Sequence, residues 1–184
     1  MNSAVFNTNK QSYQVTNIMY AGPVEEIPEE RRKTPNTHSF RLVTSLGAGY
    51  CYFRNFETAT NARKALGGML MSLKPYVFRS ANQLIDPRRV VSFSHVFELK
   101  QAREDGKTHG FVVVIESADE KARKIWLTFQ SEDHARKAQR ALFAAIHSAN
   151  DLKPDSRSSR KSGADEQVDE KREDGTAPKD NLPF

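Results

Sequence analysis

Apolar residues recur with a period of two from Thr37 to Ser45, with Phe40, Leu42 and Thr44 on one side and Arg41 and Val43 on the other. Such alternation predicts a strand with one half-buried face. Tyr50 to Phe56 alternates in the same way as a returning strand, with Gly47-Ala48-Gly49 as the expected turn. From Glu57 to Leu73 the spacing becomes helical: Ala62, Ala65, Leu66, Met69, Leu70 and Leu73 share a stripe, and Thr58 or Thr60 stands where a cap is expected. A strand from Tyr13 to Ala21, carrying Val15, Ile18 and Tyr20, precedes this block. Pro23, Pro28 and Pro35 punctuate the charged stretch Glu25 to Lys33, which reads as a long loop or the far arm of a hairpin.

The pattern then recurs. Arg88 to Lys100 predicts a strand with Val91, Phe93, His95, Phe97 and Leu99 on one side. Asp105-Gly106 signals a hairpin turn. Thr108 to Glu116 is β-branched, Lys124 to Gln130 returns after Asp119-Glu120-Lys121, and Ser131 caps a helix to about Ser148 with Ala135, Ala138, Leu142, Ala145 and Ile146 on its stripe. Thr37-His38-Ser39-Phe40 matches Thr108-His109-Gly110-Phe111, and Ala62-Arg63-Lys64-Ala65 matches Ala135-Arg136-Lys137-Ala138. In this register Phe53 falls on Trp126 and Phe56 on Phe129, with a short length change in the turn between the paired strands, where length change is tolerated.

The expected organisation is a flexible N-terminus over 1–12, a first sheet-helix repeat over 13–74, a linker over 75–87, a second repeat over 88–149 and a disordered tail over 150–184. The fold class is α+β: two tandem β-β-β-α units, or β-β-β-β-α if a strand hides in the linker, packed with pseudo-twofold symmetry. Each unit alone is too small for a good core, which sharing would remedy. This architecture resembles the Pur-alpha family and the plant Whirly proteins, which pair sheet-then-helix repeats. The resemblance implies that single strands bind on the sheets. An OB-fold is less expected, since it does not give strand-strand-helix twice.

Charge adds a second layer. Residues 1–150 hold 21 Lys and Arg against 14 Asp and Glu, a net +7, while residues 151–184 hold 7 against 9, a net −2. A basic body suits a polyanion, and the acidic end of the tail can compete for the same surface. The single cysteine, Cys51, excludes an internal disulfide framework. No apolar run is long enough for a membrane span and no secretory signal is visible, so a cytoplasmic protein is expected.

The sequence ends Asp180-Asn181-Leu182-Pro183-Phe184, a hydrophobic tip on a polar tail. It is similar to the acidic, Pro-containing tip of bacterial single-stranded DNA-binding proteins, with Asp180, Leu182, Pro183 and Phe184 matching and Lys179 and Asn181 departing. The resemblance implies that these four residues recruit replication and repair proteins: the Phe184 ring fills an apolar pocket and a partner Arg grips the terminal carboxylate.

Candidate catalytic chemistry is sparse. No Gly-rich phosphate loop, His-Glu-x-x-His or Cys-His metal spacing occurs, so neither a cofactor nor a metal is expected. Glu116, Asp119 and Glu120 read as a solvated turn, and the cations on the helices, Arg63 and Lys64 among them, as solvated faces. Single-strand binding needs cations for phosphates and aromatic faces for bases. Tyr50, Tyr52 and Arg54 share one strand face, with Arg41 on the neighbouring strand; Trp126 alternates with Lys124 in the second unit, bordered by Lys100, Arg103 and Arg123. The assumed register gives the two sheets different faces, so that one unit binds and the other dimerises, or the faces differ from this assignment. The expectation is a non-enzymatic, sequence-nonspecific single-stranded DNA-binding protein of a bacterium, phage or mobile element that recruits partners by its tip. The alternatives are an adaptor or inhibitor that occupies tip-binding pockets of repair enzymes without binding DNA, or a general interaction domain.

Overall fold

The computed structural model describes residues 4–8, 11–80, 82–101, 105–120 and 123–151. Every described element falls within the unit Met1–Lys153. In chain order these are strands β1 (Val5–Asn7) and β2 (Ser12–Gln14), a 3-10 turn (Val15–Asn17), β3 (Ile18–Glu26), a second 3-10 turn (Glu29–Arg31), β4 (His38–Thr44), β5 (Gly47–Phe53) and helix α1 (Phe56–Leu73). Then follow β6 (Phe78–Ser80), β7 (Gln83–Ile85), a third 3-10 turn (Pro87–Arg89), β8 (Val90–Phe93), β9 (Phe97–Glu98), β10 (His109–Ile115), β11 (Lys124–Phe129) and α2 (Glu132–Asp151). The fold is α+β, and no described helix is long and apolar enough to cross a membrane.

Several boundaries differ from the sequence reading, each for a local reason. The stretch 1–12 contains β1 and the start of β2, because Phe6 is apolar and buried. The expected linker over 75–87 contains the hairpin β6–β7, turned at Asn82 in a left-handed conformation (φ 60°) that Asn tolerates. The β4–β5 turn is Ser45-Leu46 rather than Gly47-Ala48-Gly49, which pairs with Leu42, Val43 and Thr44 inside β5. Helix α1 is capped by Asn55, whose Oδ1 accepts the Thr58 N–H at 2.8 Å. The strand expected over 88–100 is interrupted: Ser94 Oγ accepts the Val112 N–H at 2.9 Å, so a side chain replaces a ladder carbonyl between β8 and β9.

The strands form a five-stranded sheet ordered β5-β4-β3-β7-β6, a four-stranded sheet β11-β10-β8 with β9 also on β10, and the hairpin β1–β2. One face of the five-stranded sheet (Phe40, Leu42, Cys51) packs with Phe6 against Leu66 and Leu70 of α1. In the second core, Phe111, Val113, Ile125 and Leu127 of β10–β11 gather with Leu142 of α2. Tyr20, Val43, Phe78 and Ile85, from the other face of the five-stranded sheet, join this second core. The short hairpin β6–β7 thus belongs to one sheet by hydrogen bonds and packs into both cores, Phe78 and Ile85 in the second and Leu84 in the first.

Parts of the two strand-helix segments share local geometry. His38 pairs with Phe53 and His109 with Phe129. Thr37 Oγ1 lies 2.8 Å from His38 Nδ1 and Thr108 Oγ1 lies 2.9 Å from His109 Nδ1. Phe40 stacks on Phe53 and Phe111 on Phe129. The local setting of Phe53 thus resembles that of Phe129, that of Asn55 resembles that of Ser131, and those of buried Ala59 and Leu66 resemble those of buried Ala135 and Leu142. The assignments of Phe53 to Trp126, Phe56 to Phe129 and Ala62 to Ala135 are corrected accordingly. The longer connection between β10 and β11, in place of Ser45-Leu46, accounts for the change in offset.

A buried ion pair fastens the junction. Lys74, the C-cap of α1, donates from Nζ to Asp86 Oδ2 at 2.6 Å and to the Ile18 carbonyl at 2.9 Å. Both side chains are nearly sealed from water, at 8% and 4% exposure. Asp86 is otherwise satisfied: its Oδ1 accepts the Arg88 N–H and its N–H donates to the Met19 carbonyl. Removing one member leaves the other charge buried and unpaired, at a cost of about 3–5 kcal/mol. Lys74→Met should lower unfolding stability by that order in urea titration. Lys74→Met with Asp86→Asn should lose clearly less than the sum of the single changes; additive losses would show that the two groups do not act as a pair.

Candidate nucleic-acid interface

Strand alternation sends the odd-even partners of the core outward. On β5, Cys51 is buried while Tyr50 and Tyr52 are 51% and 40% exposed, with ring centroids 6.2 Å apart. Tyr50 lies directly across from Arg41, and Tyr52 from Ser39. Arg54 follows at the strand end, exposed, and its carbonyl accepts from Thr37 Oγ1. Arg41, Tyr50 and Tyr52 thus lie on the same face of the β4–β5 pair, with Arg54 just beyond the strand end.

On β11, Ile125 and Leu127 are buried and Trp126 is 55% exposed, across from Val112. Phe97 meets its indole edge-on at 5.8 Å. Lys124, exposed, is two residues away on the same face. Aligned on Phe53 and Phe129, each across from a His and stacked on a Phe, Tyr50 and Trp126 both stand three residues earlier on their strands. The mismatch of faces inferred from sequence disappears; it came from sliding the strands out of step.

The bordering cations are strung out rather than clustered. Arg123 sits at the turn end of β10–β11, where its Nε donates to the Ser117 carbonyl at 2.7 Å. Lys100 is exposed beyond β9, near the other end, since the neighbouring Leu99 N–H donates to the Thr108 carbonyl. Arg103, and Asp180, Leu182, Pro183 and Phe184 of the tip, lie outside the described residues.

Two buried polar groups link the aromatic surfaces. Tyr20 donates its hydroxyl to Gln83 Oε1 at 2.9 Å, and Gln83 Nε2 donates to the Trp126 carbonyl at 3.2 Å. Gly22 makes room for the phenol, since a Cβ there would stand 3.2 Å from its oxygen. Burial pushes the Tyr20 phenol up to about 12, with Glu25 and Tyr50 adding to the rise and Arg41 and Arg63 opposing it.

Arg63 carries a role that the helical reading missed. It lies on the inward side of α1, one turn from Ala59 and Leu66, and not on the solvated face. Its Nε donates to the Gly22 carbonyl at 2.7 Å, and its Nη2 to the carbonyls of Ala21 and Asn82 at 2.9 and 3.2 Å. Burial lowers its pKa to about 10, and Arg79 adds to the lowering. The spacing Ala59, Arg63, Leu66, Leu70 was the available signal, because it places Arg63 in step with core positions. With Phe56, Lys64, Arg79 and Gln83, Arg63 lines an open cavity of about 610 Å³ beside the exposed Phe56 ring. No group of His, Cys, Asp and Glu suited to a metal occurs among the described residues.

Comparison of the chain with known protein families, curated proteins and solved structures gives no match.

Burial also pushes the Cys51 thiol from its ordinary 9.0 up to about 12. Both raised groups favour their neutral forms in the folded chain, whereas in the unfolded chain the thiol ionises near 9.0 and the phenol near 10.0. Unfolding therefore releases protons in that range, and stability present below it falls as pH rises from about 9 toward 12. Melting at a series of alkaline pH values should show this decline, and Cys51→Val should flatten its lower part. An unchanged slope in Cys51→Val would remove the thiol from the account.

Proposed function

We propose that this chain binds single-stranded nucleic acid, without catalysis and with little sequence readout, on the outward faces of two tandem sheet-helix repeats. The observation that carries this reading is the exposure of an aromatic ring at the same place in each hairpin, Tyr50 and Trp126, both beside cations. An exposed aromatic ring offers a face on which a base can stack. Bases have faces for such rings, and Arg41, Arg54 and Lys124 suit the phosphates between them. The net positive charge of residues 1–150 is consistent with a polyanion partner. We further propose, from the sequence resemblance of Asp180-Asn181-Leu182-Pro183-Phe184 to single-stranded DNA-binding protein tips, that the acidic tail recruits replication or repair proteins and competes with DNA for the basic body.

Fluorescence anisotropy of labelled oligo-dT across a salt series tests the reading. Binding should weaken steeply with salt, and a version ending at Ala177 should bind more tightly at low salt. Tyr50→Ala and Trp126→Ala should each remove about 1–3 kcal/mol of affinity, roughly 5- to 150-fold. Tyr50→Phe should retain most of it, because stacking needs the ring and not the hydroxyl. Absence of binding in both the full chain and the shortened version would overturn the reading and favour an adaptor that acts through the tip alone.

A further inference from the structure

The four-stranded sheet ends at β8, which has no strand on its outer edge among the described residues. The matching strand, β3, carries β7 on that edge, with Tyr20 across from Ile85, Ala21 across from Leu84, and the Asp86 N–H donating to the Met19 carbonyl at 2.8 Å. The match between β3 and the β8–β9 line holds at both ends. Each starts from a one-turn 3-10 helix closed by the next N–H, Ile18 to the Val15 carbonyl and Val90 to the Pro87 carbonyl. Each ends with a Glu across from a His, Glu26 with His38 and Glu98 with His109, followed by an N–H, of Ile27 or Leu99, donating to the Thr37 or Thr108 carbonyl.

The hairpins match as well. Phe6 lies across from Tyr13 in β1–β2 as Phe78 lies across from Ile85 in β6–β7. Each Phe is buried in the core of its own half. The β3–β7 contact therefore has both of its components present a second time and unjoined: β8 as the receiving edge, and β2, whose outer edge also carries no strand among the described residues.

We propose that β8 receives β2 from a second copy of this chain, in the register that β7 uses on β3. In that register Ser92 faces Tyr13 of the second copy, Phe93 faces its Ser12, and its Gln14 N–H donates to the Val91 carbonyl, as Asp86 does to Met19. Val91, 67% exposed, gains cover from the added strand. An exposed edge that offers a row of unpaired N–H and C=O groups is a template for such addition. Because the contact joins unlike surfaces, each copy both gives a strand and takes one, and two copies that do both leave neither the β8 edge nor the β2 edge open. The inference does not depend on nucleic-acid binding.

Gln14→Pro isolates the contact. Gln14 has φ −69°, the value proline requires, so the change fits the backbone. The neighbouring Val15 N–H serves β1 through the Ala4 carbonyl, and strand alternation points that of Gln14 the other way. Sedimentation velocity of the full chain should show association in the wild type and in Gln14→Ala, which keeps the N–H. It should show a monomer in Gln14→Pro with unchanged circular dichroism. Val91→Lys, which charges the receiving edge without touching the β10 ladder, should also give a monomer. A monomeric wild type, or association undiminished in both Gln14→Pro and Val91→Lys, would overturn the proposal.

Discussion

The ion pair between Lys74 and Asp86 holds together parts of the chain that local propensity alone would not join. Lys74 closes α1, Asp86 opens the 3-10 turn before β8, and the Ile18 carbonyl that shares the ammonium begins β3. Three element boundaries therefore converge on one charge. Its position explains why β7 lies against β3: the Asp86 carboxylate is held by α1 while its own N–H reaches Met19. Arg63 acts at the other end of β7, by binding the carbonyls of Ala21, Gly22 and Asn82 where the β3 edge is irregular. Together the two cations substitute side-chain donors for ladder bonds that a short hairpin cannot supply.

Much of the fold was legible because its longest elements obey simple periods. β4, β10, β11 and both helices lie close to where the pattern places them, although on the expected α1 stripe only Leu66 and Leu70 are buried while Ala65, Met69 and Leu73 are exposed. The missed elements are short. β1, β6 and β7 have three residues each, too few for a period to show, and two of them are anchored by a single Phe. The exposed faces were also legible, since Tyr50, Tyr52 and Trp126 alternate with core residues. Their equivalence was not, because the Ala-Arg-Lys-Ala similarity of the helices favours a register that the strand pairing rules out. Ala59 and Ala135 each sit on the first buried turn of their helix, but Ala62 and Ala135 do not occupy the same place.

Each sheet divides its surface between burial and display. The five-stranded sheet covers one face with α1 and contributes Tyr20, Val43, Phe78 and Ile85 from the other to the second core, leaving Arg41, Tyr50 and Tyr52 beside that contact. The four-stranded sheet presents Lys124 and Trp126 on the face opposite the residues that pack under α2. The display surfaces are thus set by rigid ladders rather than loops, which fixes the spacing of rings along each strand. The tie from Tyr20 through Gln83 to the Trp126 carbonyl makes the placement of one surface depend on the other.

Trp126 is the one tryptophan in the sequence, and it stands outside both hydrophobic cores, half open to solvent with Phe97 against its edge. The intrinsic fluorescence of this chain is therefore a property of its surface. A spectral change on mixing with a partner would report what touches β11, while loosening of the packing beneath α1 would leave the same signal nearly silent.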